Sequence, residues 1–245
     1  MKTRGTTHFA VPAFSGLIFL SFAAGCASTP PTETTQAPQS QPAPASGPAR
    51  IEASAIYRPA PWKKTYSEGR RVIRREASPV DGAANRWMIE EFDSPDGKLK
   101  GGLVRQTMLE LGPDGSVFLT ELRLVAEDRV LMFDPPLVLM PAVLTSEKAC
   151  ISTSDVTMRE VDGTTTTRGT ATQTTTLVSQ SGDRTVVKSE LVAKFDFSTV
   201  DRTAVFEVVA GRGIVKEVQD RAVRFGLFNL SRKTSTATLI EQPAE

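Results

Sequence analysis

Val187-Lys188-Ser189-Glu190-Leu191-Val192-Ala193-Lys194-Phe195-Asp196-Phe197 is the segment that decides the fold. Val187, Leu191, Ala193, Phe195 and Phe197 fall on one parity, and Lys188, Glu190, Lys194 and Asp196 fall on the other. A period of two places successive side chains on opposite faces of an extended chain, so the segment reads as a strand with one buried face and one wet face. That pattern belongs to antiparallel sheets, which cover a core on one side only.

Shorter runs of the same kind lie on both sides. Residues 86–92, 103–111, 116–125, 156–161 and 164–177 precede it, and 203–209, 213–218, 223–228 and 235–240 follow. The run at 164–177 is rich in Thr, a β-branched residue that suits a half-solvated strand. Asp81-Gly82, Asp96-Gly97, Asp114-Gly115, Asp162-Gly163 and Gly182-Asp183 punctuate the runs. Asp and Gly tolerate the positive φ of tight hairpins. No helical stripe of a dozen residues competes. The sequence predicts an all-β, antiparallel domain of roughly ten strands, built as a sandwich, an open barrel or a curved sheet.

Residues 130–144 are the most apolar stretch after the N-terminus: eleven of the fifteen are hydrophobic, and the rest are three prolines and Asp134. Proline cannot donate to a sheet ladder, so part of this segment is expected as a rigid loop or edge. Its apolar side chains are expected in the core, the alternative being an exposed patch for lipid or a partner. Arg70, Arg71, Arg74 and Arg75 flank Val72 and Ile73. In a strand they would charge both faces, which reads as an edge guarded against aggregation, with an anion site as the sharper alternative. Glu90, Glu91, Asp93 and Asp96 read as a solvated strand end and turn, since their spacing matches no calcium loop or hydrolase motif. Gly211-Arg212-Gly213 lacks the third glycine and the following helix of a nucleotide loop.

The only histidine is His8. Beyond it the chain has no imidazole for a Ser-His-Asp or Cys-His centre, nor for His-ligated zinc, copper or haem. No catalytic residue, cofactor or metal site is expected. Of the two cysteines, Cys150 is expected as a small buried hydrophobe without a disulfide partner. The formal charge is +1, and Lys2 and Arg4 are the only charges among the first 25 residues, so the chain from Cys26 onward carries −1. Such a balance gives no electrostatic basis for binding nucleic acid.

Lys2 and Arg4 precede an uncharged stretch centred on Gly16-Leu17-Ile18-Phe19-Leu20-Ser21-Phe22, and Ala23-Ala24-Gly25-Cys26 follows. This order resembles the signal peptide and lipobox of bacterial lipoproteins, with Ala23 where that family usually has Leu. The resemblance implies cleavage after Gly25, lipid on Cys26, and anchoring by two or three acyl chains. Ala27 and Ser28 in place of Asp imply the outer membrane, facing the periplasm or the surface. Residues 27–50 hold six prolines and nothing apolar larger than Ala. Such a segment cannot offset its ordering entropy and is expected to be a disordered tether. At about 3.1 Å per residue it would reach on the order of 70 Å. The organisation expected is thus signal peptide 1–25, lipidated Cys26 and tether 26–50, and one β-rich extracytoplasmic domain 51–245.

Pro135-Pro136-Leu137-Val138-Leu139-Met140-Pro141 and Val209-Ala210-Gly211-Arg212-Gly213-Ile214-Val215-Lys216 are similar to two segments of a family of β-rich exported bacterial domains. That family has no established activity, so the resemblance implies fold rather than function. The expected function is a non-catalytic binding or scaffolding module of the cell envelope, docking an envelope protein or glycan through strand edges. The alternative is lipid or lipoprotein handling by a curved sheet around an apolar cavity, similar in architecture to the carrier and receptor of the Lol pathway. The membrane is the expected partner through Cys26. Replacing Cys26 with Ser is expected to abolish palmitate labelling and leave the chain unprocessed or released. Label entering the C26S chain, or soluble wild-type protein after fractionation, overturns the lipid assignment.

Overall fold

The computed structural model describes residues 47–94, 101–161, 163, 166–226 and 228–240. Pro44–Glu245 forms one compact unit. Fourteen antiparallel strands follow one another: β1 (Arg50–Glu52), β2 (Trp62–Glu68), β3 (Arg71–Val80), β4 (Ala83–Ser94), β5 (Gly102–Leu111), β6 (Val117–Leu124), β7 (Arg129–Met140), β8 (Val143–Thr145), β9 (Cys150–Glu160), β10 (Thr166–Ser181), β11 (Arg184–Phe195), β12 (Ser198–Val209), β13 (Gly213–Phe225) and β14 (Phe228–Leu239).

Twelve of them close into a barrel, and β1 pairs β8 as a separate small sheet. The antiparallel all-β architecture read from the sequence is the one that forms, and closure removes most of its free edges. Neighbours along the chain are neighbours in the wall. The exceptions are β7 against β9, and β14 against β2, where the barrel closes. That closing seam is short: its register holds only Thr238 opposite Ser67 and Leu239 opposite Tyr66, with one further bond from the Ile240 N–H to the Thr65 carbonyl.

The Asp-Gly expectation holds where it is described. Gly82, Gly115, Gly163 and Gly182 all take positive φ between consecutive strands. Asp96, Gly97 and Asp162 lie outside the described residues. The runs at 213–218 and 223–228 do not make two strands: 213–225 is continuous as β13, with its turn at Gly226.

In β11 the alternation is as read. Val187, Ala193 and Phe195 are buried, while Lys188 and Glu190 pair with each other outside. Phe197 departs from it, because the strand ends at Phe195. Its ring is 72% exposed and stacks on Phe225 with centroids 6.2 Å apart.

Residues 130–144 are strand for most of their length, with the expected loop confined to Pro141-Ala142 between β7 and β8. Most of the segment forms β7, with Leu131, Phe133, Leu137 and Met140 buried in the core and Pro135 and Pro136 exposed. The prolines are accommodated at a break in pairing. The ladder to β6 jumps from Leu137 to Met132, and the ladder to β9 stops at Asp134. A bulge spares the missing N–H groups. The arginine cluster is not an edge either, since β3 lies inside the wall between β2 and β4. Arg70 sits in the β2–β3 turn.

The core fills one end and one side of the barrel. Trp87, Leu109, Val117, Leu119, Leu137, Val187 and Phe206 are buried together. Ile51 of β1 and Leu144 of β8 join them, so the small sheet closes that end. The outer wall carries ion pairs between strands: Lys63–Glu76 at 2.9 Å, Arg86–Glu110 at 2.8 Å, and Arg232–Asp220 at 2.5 Å.

Gly169 of β10 marks a tight point in the wall. A Cβ there would run into the Lys194 carbonyl and the Phe195 ring, whereas a Cβ at Gly102 would meet nothing within 4 Å. Gly169→Ala is expected to cost about 1–3 kcal/mol and to lower the urea midpoint. Gly102→Ala is expected to stay within about 0.5 kcal/mol of wild type.

Candidate functional site

A cavity of about 110 Å³ lies inside the barrel. Its lining is mixed: Leu109, Leu119, Leu122, Leu139 and Phe206 are apolar, and Arg75, Arg105, Arg202, Glu217 and Lys64 are charged.

The charged side follows from strand register. Arg75 of β3 stands opposite Glu91 of β4, and Glu91 stands opposite Arg105 of β5. Residues directly opposite share a face, so all three side chains form one rung on the inner surface. Arg75 Nε donates to Glu91 Oε2 at 2.7 Å, and Arg105 Nη2 donates to the same oxygen at 2.7 Å. From β3 the rung continues across the lumen, with Arg75 Nη1 2.5 Å from Glu217 Oε2 of β13. Glu217 is only 2% exposed. Its other oxygen accepts from Gln219 and lies 3.5 Å from Arg202 Nη2. Arg202 Nε donates to Gln219 Oε1 at 3.2 Å.

Two tyrosines finish the site. The Tyr66 ring lies under Arg75, whose Cζ is 4.9 Å from the centroid, and its hydroxyl donates to the Ile214 carbonyl at 3.3 Å. Tyr57 comes from the segment between β1 and β2 and lines the same cavity. Burial pushes both phenols up to about 12, so they stay neutral donors.

The electrostatics sort the three guanidiniums. Burial works against charge on Arg75, but Glu217 and Glu91 override it and raise its pKa. Burial alone would raise the Glu91 carboxyl, yet Arg105 and Arg75 hold it at about 2. Glu217 is likewise held down by Arg75, then Arg202 and Arg105, against its burial. Arg202 goes the other way. Burial, reinforced by Arg105, lowers it to about 10, and Glu217 offsets only part of that. The site therefore holds two ionised carboxylates among three guanidiniums, with Arg202 the least compensated.

The acids and arginines singled out in the sequence separate by parity once the chain folds, with Arg75 and Glu91 inside the barrel. Glu91 is thus not part of a solvated strand end. Glu90 points the other way and accepts from Gln106 Nε2 at 2.9 Å, while Asp93 pairs with Arg71. Arg74 lies over the Phe92 ring at 4.4 Å. Cys150 is free and half-buried at the edge of the core, with burial raising its thiol. Cys26 lies outside the described residues. Sequence patterns alone did not single out Tyr57, Tyr66, Arg105, Arg202 or Glu217. The signal for two of them is a charge on an apolar parity: Arg202 shares the face of Ala204, Phe206 and Val208, and Arg105 that of Leu109.

Among the described residues, no group of three His, Cys, Asp or Glu side chains is placed to hold a metal ion. Compared with known proteins, the chain matches no family model, no curated protein and no solved structure.

Glu91 gives the site a pH signature. Its pKa falls from 4.5 to about 2 on folding, so the unfolded chain binds its proton first as acid is added. The stabilisation is complete above pH 4.5 and is lost as pH falls toward 2. Glu91→Gln is expected to cost about 3–5 kcal/mol at neutral pH, because Arg105 and Arg75 lose a buried partner. The variant's urea midpoint is expected to vary less than that of wild type between pH 4.5 and 2. Equal slopes for the two proteins overturn this assignment.

Proposed function

We propose that this chain is a lipid-anchored, non-catalytic binding module of the bacterial cell envelope that takes a small ligand into its barrel. The observation that carries this reading is the cavity inside the barrel, whose lining combines apolar and charged side chains. Small-molecule sites have that make-up: an apolar surround with a few polar groups that fix orientation. Barrel closure also leaves few strand edges for a protein partner, which favours an internal ligand over edge docking.

Two features support a non-catalytic role. Past His8 there is no imidazole to act as a general base. The carboxylates at the cavity, Glu91 and Glu217, are both held ionised by arginines, whereas two-carboxylate hydrolysis requires one of the pair to keep its proton. Anchoring rests on the lipobox pattern at Cys26, with the segment between Cys26 and the fold as the tether; the fold begins earlier than expected, since Ala49 packs on the core and Arg50 opens β1, which pairs with β8.

Small amphiphiles extracted from cell envelopes are expected to raise the melting temperature of the purified chain. Ligand at a hundred times its Kd adds about 2.7 kcal/mol, a rise of roughly 5–10 °C for a domain of this size. Ala204 is 2% exposed and lines the cavity, so Ala204→Leu is expected to fill the space and remove the rise. A shift that persists in A204L places the ligand elsewhere, and no shift from any extract fraction removes the proposal.

A further inference from the structure

We propose that the lumen is selective for an anionic amphiphile, a carboxylate joined to a short apolar body, with the carboxylate held between Arg202 and Arg105. This rests on the reading that the ligand enters the barrel, and it names the chemical class.

The argument begins with the guanidinium forks. Arg75 is saturated, with Glu91 on one side and Glu217 on the other. Arg105 uses one nitrogen on Glu91, and its other nitrogens have no partner among the described residues. Arg202 reaches Glu217 only at 3.5 Å and otherwise donates Nε to a neutral amide, which leaves Nη1 without a partner among the described residues. Both arginines line the cavity. Three guanidiniums face two carboxylates, which leaves a positive excess, and Lys64, whose Nζ donates to the neutral Arg212 carbonyl at 2.5 Å, adds to it. A planar carboxylate offsets part of that excess and matches the two N–H directions of an arginine fork.

The rest of the ligand follows from the apolar part of the lining. Leu119, Leu122, Leu139 and Phe206 offer no hydrogen bond from their side chains, so the body that meets them is apolar. The volume, about 110 Å³ against about 150 Å³ for an engineered cavity that holds benzene, favours a short body over a long acyl chain.

The probe is hexanoate, titrated calorimetrically into the purified full chain, with hexanol, inorganic phosphate and palmitate as comparisons. Hexanoate is expected to bind at least about tenfold more tightly than hexanol, the difference a charge-assisted contact makes. Arg202→Gln is expected to remove that advantage and leave hexanol binding unchanged. If R202Q does not fold, Arg202→Lys keeps the charge and loses the fork. Hexanoate affinity should then fall while hexanol affinity holds, and unchanged hexanoate affinity overturns the proposal. Equal binding of hexanol and hexanoate overturns the anion selectivity but leaves the internal site standing. Phosphate binding as tightly as hexanoate overturns the apolar half, and palmitate binding far more tightly overturns the size limit. No binding by hexanoate overturns the whole inference, whereas the internal-ligand reading fails separately, through the melting test on A204L.

Discussion

The pair between Arg75 and Glu217 is the contact on which the closed barrel depends. Arg75 is on β3 and Glu217 is on β13, and between them in the wall lie only β2 and β14. Those two strands share a ladder of just two residue pairs. The barrel is thus weakest in backbone hydrogen bonds where this ion pair spans it from inside. Lys64 and Tyr66 of β2 cross the same gap to the carbonyls of Arg212 and Ile214. Side-chain bonds replace backbone bonds along the seam. Inside a low-dielectric lumen such bonds are strong when complete and costly when broken.

The same network explains why the barrel is not filled with hydrocarbon throughout. A charged rung across β3, β4 and β5 needs partners and some remaining polarity around it. The apolar core draws mainly on β6, β7, β10, β11 and β12, with Ile51 of β1 and Leu144 of β8 packed into it. Where the two environments meet, neither packs fully against the other, and the cavity lies there. Site and seam are therefore one structure: the charges that help close the wall also line the space within it. At the same time the outer wall holds its own ion pairs, so a strand such as β3 carries charge on both faces, with Arg74 outside and Arg75 inside.

Local signals carried most of the strand pattern. Alternation in residues 187–195 and positive-φ glycines after Asp81 and Asp114 are properties of a few consecutive residues, and both survive folding. The misreadings occur where a distant strand decided the outcome. Pro135 and Pro136 argue for a loop when β7 is read alone. They are tolerated in a strand because β6 and β9 both leave them unpaired. The alternation that included Phe197 ended early, because the turn to β12 comes before it. β13 looked like two strands because its charged centre, Glu217 to Arg224, breaks the apolar pattern; those charges have partners on other elements.

By itself the sequence determined an antiparallel all-β domain, because strand parity and turn chemistry are set by residues adjacent in the chain. It also confined the chemistry available to that domain, since a chain whose only imidazole is His8 has no histidine to bring together however it folds. Only the tertiary structure decided that the sheet closes, that Arg75 and Glu91 point inward, and that Arg202 and Glu217 meet them there. Arg75 and Glu91 lie more than a hundred positions before Arg202 and Glu217 in the chain. Whether a charge on a strand faces water or a partner depends on which strands register against it, and that is fixed by packing the whole wall at once.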